Sequence, residues 1–173
     1  SVLNYQFDNS VTSFIYTCLG RMFGIRDNFG FMLYLLGEAG TGKSLIINIL
    51  SACFNNIGAV SDSFETKYGL GYLYNKDIIV CDDLPKDINK IFPQQIFQSC
   101  ITQGTISTAV KNGDAVTIEK WNVPMLWGGN WFPSYIDSGQ ISRRVLVANF
   151  EKNVYKQDTL LQERIINEEL PAF

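Results

Sequence analysis

Apolar residues near the start of the chain recur at helical spacing. Val11, Phe14, Ile15, Cys18, Leu19, Met22 and Phe23 form one stripe, which predicts an amphipathic helix over residues 10–24, with Asn9 or Ser10 as N-cap and Gly24 closing it. The pattern then changes. Residues 31–36 are apolar without a break and end at Gly37, as in a strand buried on both faces. Three later runs have the same form. Residues 77–81 end in Asp82 and Asp83, residues 123–127 lead into Gly128, Gly129 and Asn130, and residues 145–150 follow Arg143 and Arg144. Residues 43–54 are apolar nearly all round, so they predict a helix packed against the sheet these strands form. Pro93 opens another helix that runs to Gln103 and stops at Gly104, burying Ile96, Phe97, Cys100 and Ile101. Between it and the third strand, Asn112 and Gly113 mark a type I′ hairpin turn. Residues 157–170 predict a terminal amphipathic helix. No repeat, low-complexity tract or linker interrupts this order. The expectation is one α/β domain over residues 1–173, with a central parallel sheet, flanking helices and an inserted hairpin.

Composition narrows the picture. A chain of 173 residues can bury roughly 70% of its unfolded surface without a disulfide or metal staple. The four cysteines, Cys18, Cys53, Cys81 and Cys100, show no short paired spacing, and there is no histidine. A zinc site and a histidine-based triad are therefore not expected. The cysteines read as small buried apolar residues in a reducing compartment. No apolar run approaches the ~20 residues of a membrane span, and nothing at the start resembles a signal peptide. The expectation is a soluble, intracellular protein with no membrane partner. The first residue is not methionine, as in a piece of a longer protein. A net charge of −3 gives no global pull on nucleic acid, so DNA contact would need a local basic feature.

The strongest chemical signal is GEAGTGKS, residues 37–44, set between a predicted strand and a predicted helix. In such a P-loop, Gly37, Glu38, Ala39, Gly40, Thr41, Gly42, Lys43 and Ser44 wrap a phosphate with backbone N–H groups. The helix N-terminus favours negative charge, Lys43 reaches the β- and γ-phosphates, and Ser44 ligates Mg²⁺. Asp82, at the end of the next apolar run, can hold the Mg²⁺ shell, and Asp83 can orient or deprotonate an attacking water. Asn130 can sense the γ-phosphate or place that water. Arg143 and Arg144 lie too far along the fold to serve the same nucleotide, so they suit an arginine finger offered to a neighbouring subunit.

These motifs, in this order and compact spacing, resemble the superfamily 3 helicases of DNA viruses. The stretches AGTGKS, KYGLGYLYNKDIIV, ISTAVKNGDAVTIEKWNVPMLWGGN and SGQISRRVLVANF resemble more narrowly the ATPase domains of poxvirus-like primase-helicases, over about residues 10–151. The resemblance implies a modified AAA+ domain that forms hexameric rings and unwinds DNA with ATP and Mg²⁺, at a viral replication site in the host cell. It implies that Lys43 and Ser44 bind phosphate and metal, Asp82 and Asp83 form the acidic pair, Asn130 is the sensor and Arg144 the finger. It also places the hairpin in the ring's pore, with Lys111 and Asn112 at the tip touching single-stranded DNA. The chain departs from the pattern at Asp83, where close relatives often carry the longer glutamate. The N-terminal primase or origin-binding region and the helical collar of such proteins do not fit within this length.

Competing readings remain open. A GTPase is disfavoured because NKD at 75–77 lacks the spacer of a base-reading motif and precedes the acidic strand. A transporter ATPase is disfavoured because SGQ at 138–140 follows that strand. An ATP-gated DNA-loading or remodelling module shares every motif above. A nucleotide kinase shares the P-loop but would want basic residues for a second phosphate. Trp127, Trp131, Phe132 and Tyr135 fit core or interface packing better than base stacking.

Overall fold

The computed structural model describes residues 2–25, 28–61, 64–110, 113–136 and 139–172. Five strands, β1 (Met32–Gly37), β2 (Ile57–Ala59), β3 (Ile78–Cys81), β6 (Met125–Gly129) and β7 (Val145–Phe150), form a wholly parallel sheet in the order β2-β3-β6-β1-β7. Strand β6 is central and β1 lies between it and the edge strand β7, pairing Leu36 with Gly129 on one side and with Asn149 on the other. Between β3 and β6 in sequence, β4 (Ile106–Thr108) and β5 (Val116–Ile118) make a separate antiparallel pair.

Helices cover both faces, which is why the strands are apolar apart from exposed Asn149 on the edge strand β7. On one face Leu33, Leu35, Leu126 and Ala148 pack on α1 (Val2–Gln6), α2 (Asn9–Arg21) and α3 (Lys43–Ser51) through Leu3, Ile15, Cys18, Ile46 and Ile47. On the other face Met32, Tyr34, Ile79, Met125 and Trp127 pack on α4 (Thr66–Leu73) and α5 (Gln94–Thr102) through Leu70, Leu73, Phe97 and Ile101. The two-residue alternation of a strand sorts β1 between these layers. Trp127 lies flat between Phe92 and Phe97, with both ring centroids 5.7 Å away, so it is core.

Several local expectations need correction. The cap of α2 is Asp8, whose carboxylate accepts from the Val11 N–H; that bond lowers the pKa of Asp8. The helix is turned so that Ile15, Cys18 and Met22 are buried while Val11, Phe14 and Phe23 stay exposed. At the end of α5 the left-handed residue is Gln103, φ 58°, and Gly104 N–H donates to the Ser99 carbonyl. The described ladder of the hairpin ends with Thr108 paired to Val116, and Asn112 of the expected turn lies outside the described residues. The tail forms its helix late, with α6 (Leu161–Arg164) continuing as a π-helical turn over Ile165–Glu169. No described helix is long and apolar enough to cross a membrane.

Because all five strands of the sheet run the same way, their C-terminal ends gather along one edge. The residues just beyond β1, β3 and β6 therefore meet there.

Candidate functional site

The loop leaving β1 turns sharply into α3. Gly40 and Gly42 have φ of 79° and 97°, a left-handed backbone that glycine adopts without strain. Thr41 is buried, and its hydroxyl donates to the Glu38 carbonyl at 2.8 Å, bracing the loop from inside. Gly42 caps α3 without a side chain, so the first-turn N–H groups have no intrahelical acceptor and the helix end is electropositive.

Lys43, in the first turn of α3, is only 6% exposed. Its ammonium donates to the carbonyls of Gly37 at 2.6 Å and Glu38 at 2.9 Å, and lies 3.4 Å from the Asn130 side-chain oxygen. Burial pushes its pKa down, and the Asp83 carboxylate pushes it back up. Asp82 sits beside Asp83 at the end of β3, with its pKa raised by burial. The turn after β3 is fastened to β6 by the Leu84 N–H, which donates to the Gly128 carbonyl at 2.8 Å.

The residues predicted from sequence at the ends of β1, β3 and β6 are thus brought together. Ala39, Gly40, Gly42, Lys43, Ser44, Asp82, Asp83 and Asn130 line one cavity of about 1040 Å³, at the upper end of the range for small-molecule sites. Gly37 and Glu38 contribute their carbonyls to Lys43. Arg143 and Arg144 are not brought there. They precede β7, where Met32 N–H donates to the Arg144 carbonyl at 2.9 Å, at the opposite edge of the sheet. Arg144 is held by its own chain: its guanidinium donates to the Gly30 carbonyl at 2.9 Å and lies 4.6 Å from the centre of the Phe29 ring. Arg143 is exposed to solvent. Lys111 and Asn112 lie outside the described residues.

The sequence reading missed the other wall of the cavity. Val2 and Leu3 of α1 line it, as do Val154, Gln157, Leu161 and Gln162 of the tail. The buried side chain of Gln6 joins these parts. Its amide nitrogen donates to the Thr41 and Lys152 carbonyls at 2.9 and 2.5 Å, and its oxygen accepts from the Lys152 N–H at 2.9 Å. Tyr5 adds a bond to the Asn153 carbonyl, and Val154 N–H donates to the Gly40 carbonyl at 3.1 Å. A short polar-flanked helix such as VLNYQ carries no periodicity long enough to announce this role. Exposed Tyr5 and Tyr16 line the cavity, and Trp131, next to Asn130 in the chain, is 61% accessible with the Lys86 ammonium 5.4 Å from its ring centre. Phe132 and Tyr135 pack on each other at 5.8 Å.

Solved structures share this fold at low identity. The C-terminal region of NrS-1 superposes with a TM-score of 0.74 and 21% identity over 96% of this chain and 41% of that one. A second structure of that region gives 0.69 and 22% over 96% and 40%. JCV helicase gives 0.64 and 9% over 98% and 48%. The chain therefore spans less than half of each of these neighbours. No curated protein sequence matches it significantly. A family model does match, over residues 35–144, from the middle of β1 to the entry of β7. On that match the chain belongs to DUF5906, a family of unknown function.

Proposed function

We propose that the chain is the ATP-hydrolysing motor domain of a viral DNA helicase, a P-loop NTPase of modified AAA+ type within superfamily 3. One observation carries the reading. Lys43, Asp82, Asp83 and Asn130, delivered by three separate strand ends, line the same cavity as the left-handed glycines of the loop before α3. A fold shared with JCV helicase adds support at the level of architecture.

The residues present fit a nucleotide with Mg²⁺. The loop and helix end offer N–H donors and positive potential to phosphates, and the cavity continues between α1 and the tail with enough room for a base. Among the described residues no cluster of three or more His, Cys, Asp or Glu could hold a metal ion, so the ion would arrive with its phosphates and take Ser44 and Asp82 as protein partners. Bound Mg²⁺–ATP would supply an electrophilic γ-phosphoryl group for transfer to water. Lys43 then exchanges its bonds to the Gly37 and Glu38 carbonyls for phosphate oxygens. Asp83 orients the water and accepts its proton, and Asn130 holds the γ-phosphate end in register.

Arg143, not the Arg144 that the resemblance implied, acts on the nucleotide of a neighbouring copy. Arg144, braced by Phe29 and Gly30, stiffens the segment, and exposed Arg143 reaches across. A ring of such copies, hexameric in the full-length protein, surrounds single-stranded DNA with hairpin tips carrying Lys111 and Asn112, at a viral replication site. A kinase is a poorer fit, because Lys43 is the one basic residue among the described residues lining the cavity.

The test is the ATPase rate per subunit as protein concentration rises, with and without single-stranded DNA, using Lys43→Ala as the blank. A rate that climbs with concentration and with DNA, and falls in Arg143→Ala, is expected. A flat, DNA-insensitive rate together with phosphoryl transfer to a nucleoside monophosphate would replace this reading with a kinase. DNA-stimulated hydrolysis without strand displacement would replace it with a remodelling module.

A further inference from the structure

Tyr34 puts a hydroxyl into the centre of an otherwise apolar strand. It is fully buried in β1, where phenylalanine would fill the same volume with no polar atom to satisfy. Its hydroxyl donates to the Trp131 carbonyl at 2.5 Å. The route to that carbonyl passes Gly129, where a Cβ would collide with the Tyr34 hydroxyl oxygen. A single hydroxyl therefore occupies the side-chain space of residue 129 and grips the carbonyl of residue 131. Asn130 lies between them, with its side-chain oxygen 3.4 Å from the Lys43 ammonium. Burial, and the nearby Cys81 and Asp83, push the Tyr34 pKa up, so the group stays a protonated donor at any physiological pH.

The rest of the loop is fastened farther out. Ser134 donates from its N–H and its hydroxyl to the Lys86 carbonyl at 2.7 and 3.0 Å, and Ile136 N–H donates to the Gln94 side-chain oxygen at 2.8 Å. Those bonds tie residues 134–136 to the segment after the acidic pair. They leave the orientation of Asn130 to its immediate neighbours.

We infer that Tyr34 is a positioning residue for the reaction proposed above: its hydroxyl fixes the backbone on both sides of Asn130 and so aims that carboxamide at Lys43 and the phosphate end of the cavity. The inference rests on the nucleotide-hydrolysis reading of the site. Its mechanism is geometric, because a small misplacement of an orienting group lowers the rate without weakening ground-state binding.

The experiment compares wild type, Tyr34→Phe, Asn130→Ala, the double variant and Lys43→Ala for kcat, for KM, and for affinity toward a non-hydrolysable ATP analogue. Tyr34→Phe is expected to lower kcat by about tenfold, the scale of one lost orienting hydrogen bond to a reacting centre, with KM and analogue affinity within about twofold. In the Asn130→Ala background it should lower kcat no further. Amide deuterium exchange at residues 129–132 should rise in the nucleotide-free chain. Gly129→Ala, which displaces the hydroxyl from the other side, should reproduce the kcat loss even if Tyr34→Phe proves poorly folded. An unchanged kcat in both variants, or an equal loss with and without Asn130, overturns the inference while leaving the hydrolysis reading intact. A wild-type rate no higher than that of Lys43→Ala overturns both, and is recognised by that control alone.

Discussion

The two edges of the central sheet are built in opposite ways. At the C-terminal edge three strand ends bring Lys43, Asp82, Asp83 and Asn130 around one cavity, and the polar groups are aimed by backbone geometry. At the N-terminal edge Arg143 and Arg144 stand at the entry of β7, one exposed and the other pinned to Gly30 and Phe29. Five residue steps of β1 separate Met32, paired with Val145, from Gly37, paired with Phe150. At about 3.3 Å per step that is roughly 17 Å, beyond the reach of any side chain. An arginine on the far edge serves its own fold or another copy's cavity, never its own. Head-to-tail assembly is the arrangement that sets one edge against the other.

The largest expected effect tests that separation. Arg143→Ala should lower DNA-stimulated hydrolysis by about 10³-fold, the lower end for a finger supplied from a neighbour, with little change in Tm. Arg144→Ala should lower Tm as well, since it removes the bond to Gly30 and the ring contact. Mixing inactive Arg143→Ala with inactive Lys43→Ala sharpens the comparison. Half the subunits then keep an intact loop and half their neighbours keep an intact arginine, so about a quarter of the wild-type rate should return. If both functions must lie in one chain, the mixture stays inactive.

At the opposite edge Lys43→Ala should cost about 10²–10³-fold in hydrolysis, the scale for removing one charge-stabilising donor. Analogue affinity should fall with it, unlike in the arginine variants. That difference separates a group that holds the ground state from one that acts only in the transition state.

How far these edges were legible depends on the kind of signal each element carries. The parallel sheet and α3 were readable because unbroken apolar runs of strand length admit few other structures. The site could be read at Lys43, Asp82 and Asn130 because each comes just after such a run, and parallel strands set the residues beyond their C-terminal ends on a common edge. Helix α4 was invisible since KYGLGYL carries two glycines, which weaken a helix signal. They are there for close packing: a Cβ at Gly69 would collide with the Phe64 ring, and one at Gly71 would come within 3.0 Å of the Ala109 carbonyl. The stripe in α2 fixed a helix but not its rotation, because Phe14 and Ile15 are equally apolar and only tertiary packing decides which is buried. Gln6 and Tyr34 act through bonds to residues far along the chain, Lys152 and Trp131, and no local pattern encodes such a partner.

Asp82 gives a smaller effect with two opposite signs. Its raised pKa means that the folded chain binds a proton at this carboxyl more tightly than the unfolded chain does. The stability this contributes is present at low pH and is lost as pH rises through the ordinary aspartate value toward the raised one. Asp82 is exposed to solvent, which screens the effect, so the ionised group at neutral pH is only a small cost to folding. Asp82→Asn should raise Tm by no more than about 1 °C at pH 7, because solvent screens this exposed carboxylate, while lowering hydrolysis by about 10²-fold. Near pH 3 the gain in Tm should disappear, because both states of wild type are then protonated.

The smallest effect is the pH profile itself. On the proposed reading, hydrolysis requires Asp82 ionised to hold the metal, and partial burial disfavours that ionised form. The acid limb of kcat/KM reports essential groups in the free enzyme, so it should lie above the ordinary aspartate range and show a fall in rate as pH drops through the raised value. Asp82→Glu lengthens the side chain by one methylene toward solvent. If its carboxylate is better hydrated, the limb should move to lower pH even as the maximal rate declines. Lys43 works in the other direction: burial lowers its pKa, so the alkaline limb should begin below the ordinary lysine range. Arg143→Ala, at the edge where no carboxylate or lysine titrates against the nucleotide, should scale the whole profile down without moving either limb. A shift of the acid limb in Arg143→Ala that persists in mixtures where every neighbour keeps an intact Arg143 would show that the two edges communicate within one chain, and the separation argued from β1 would fail.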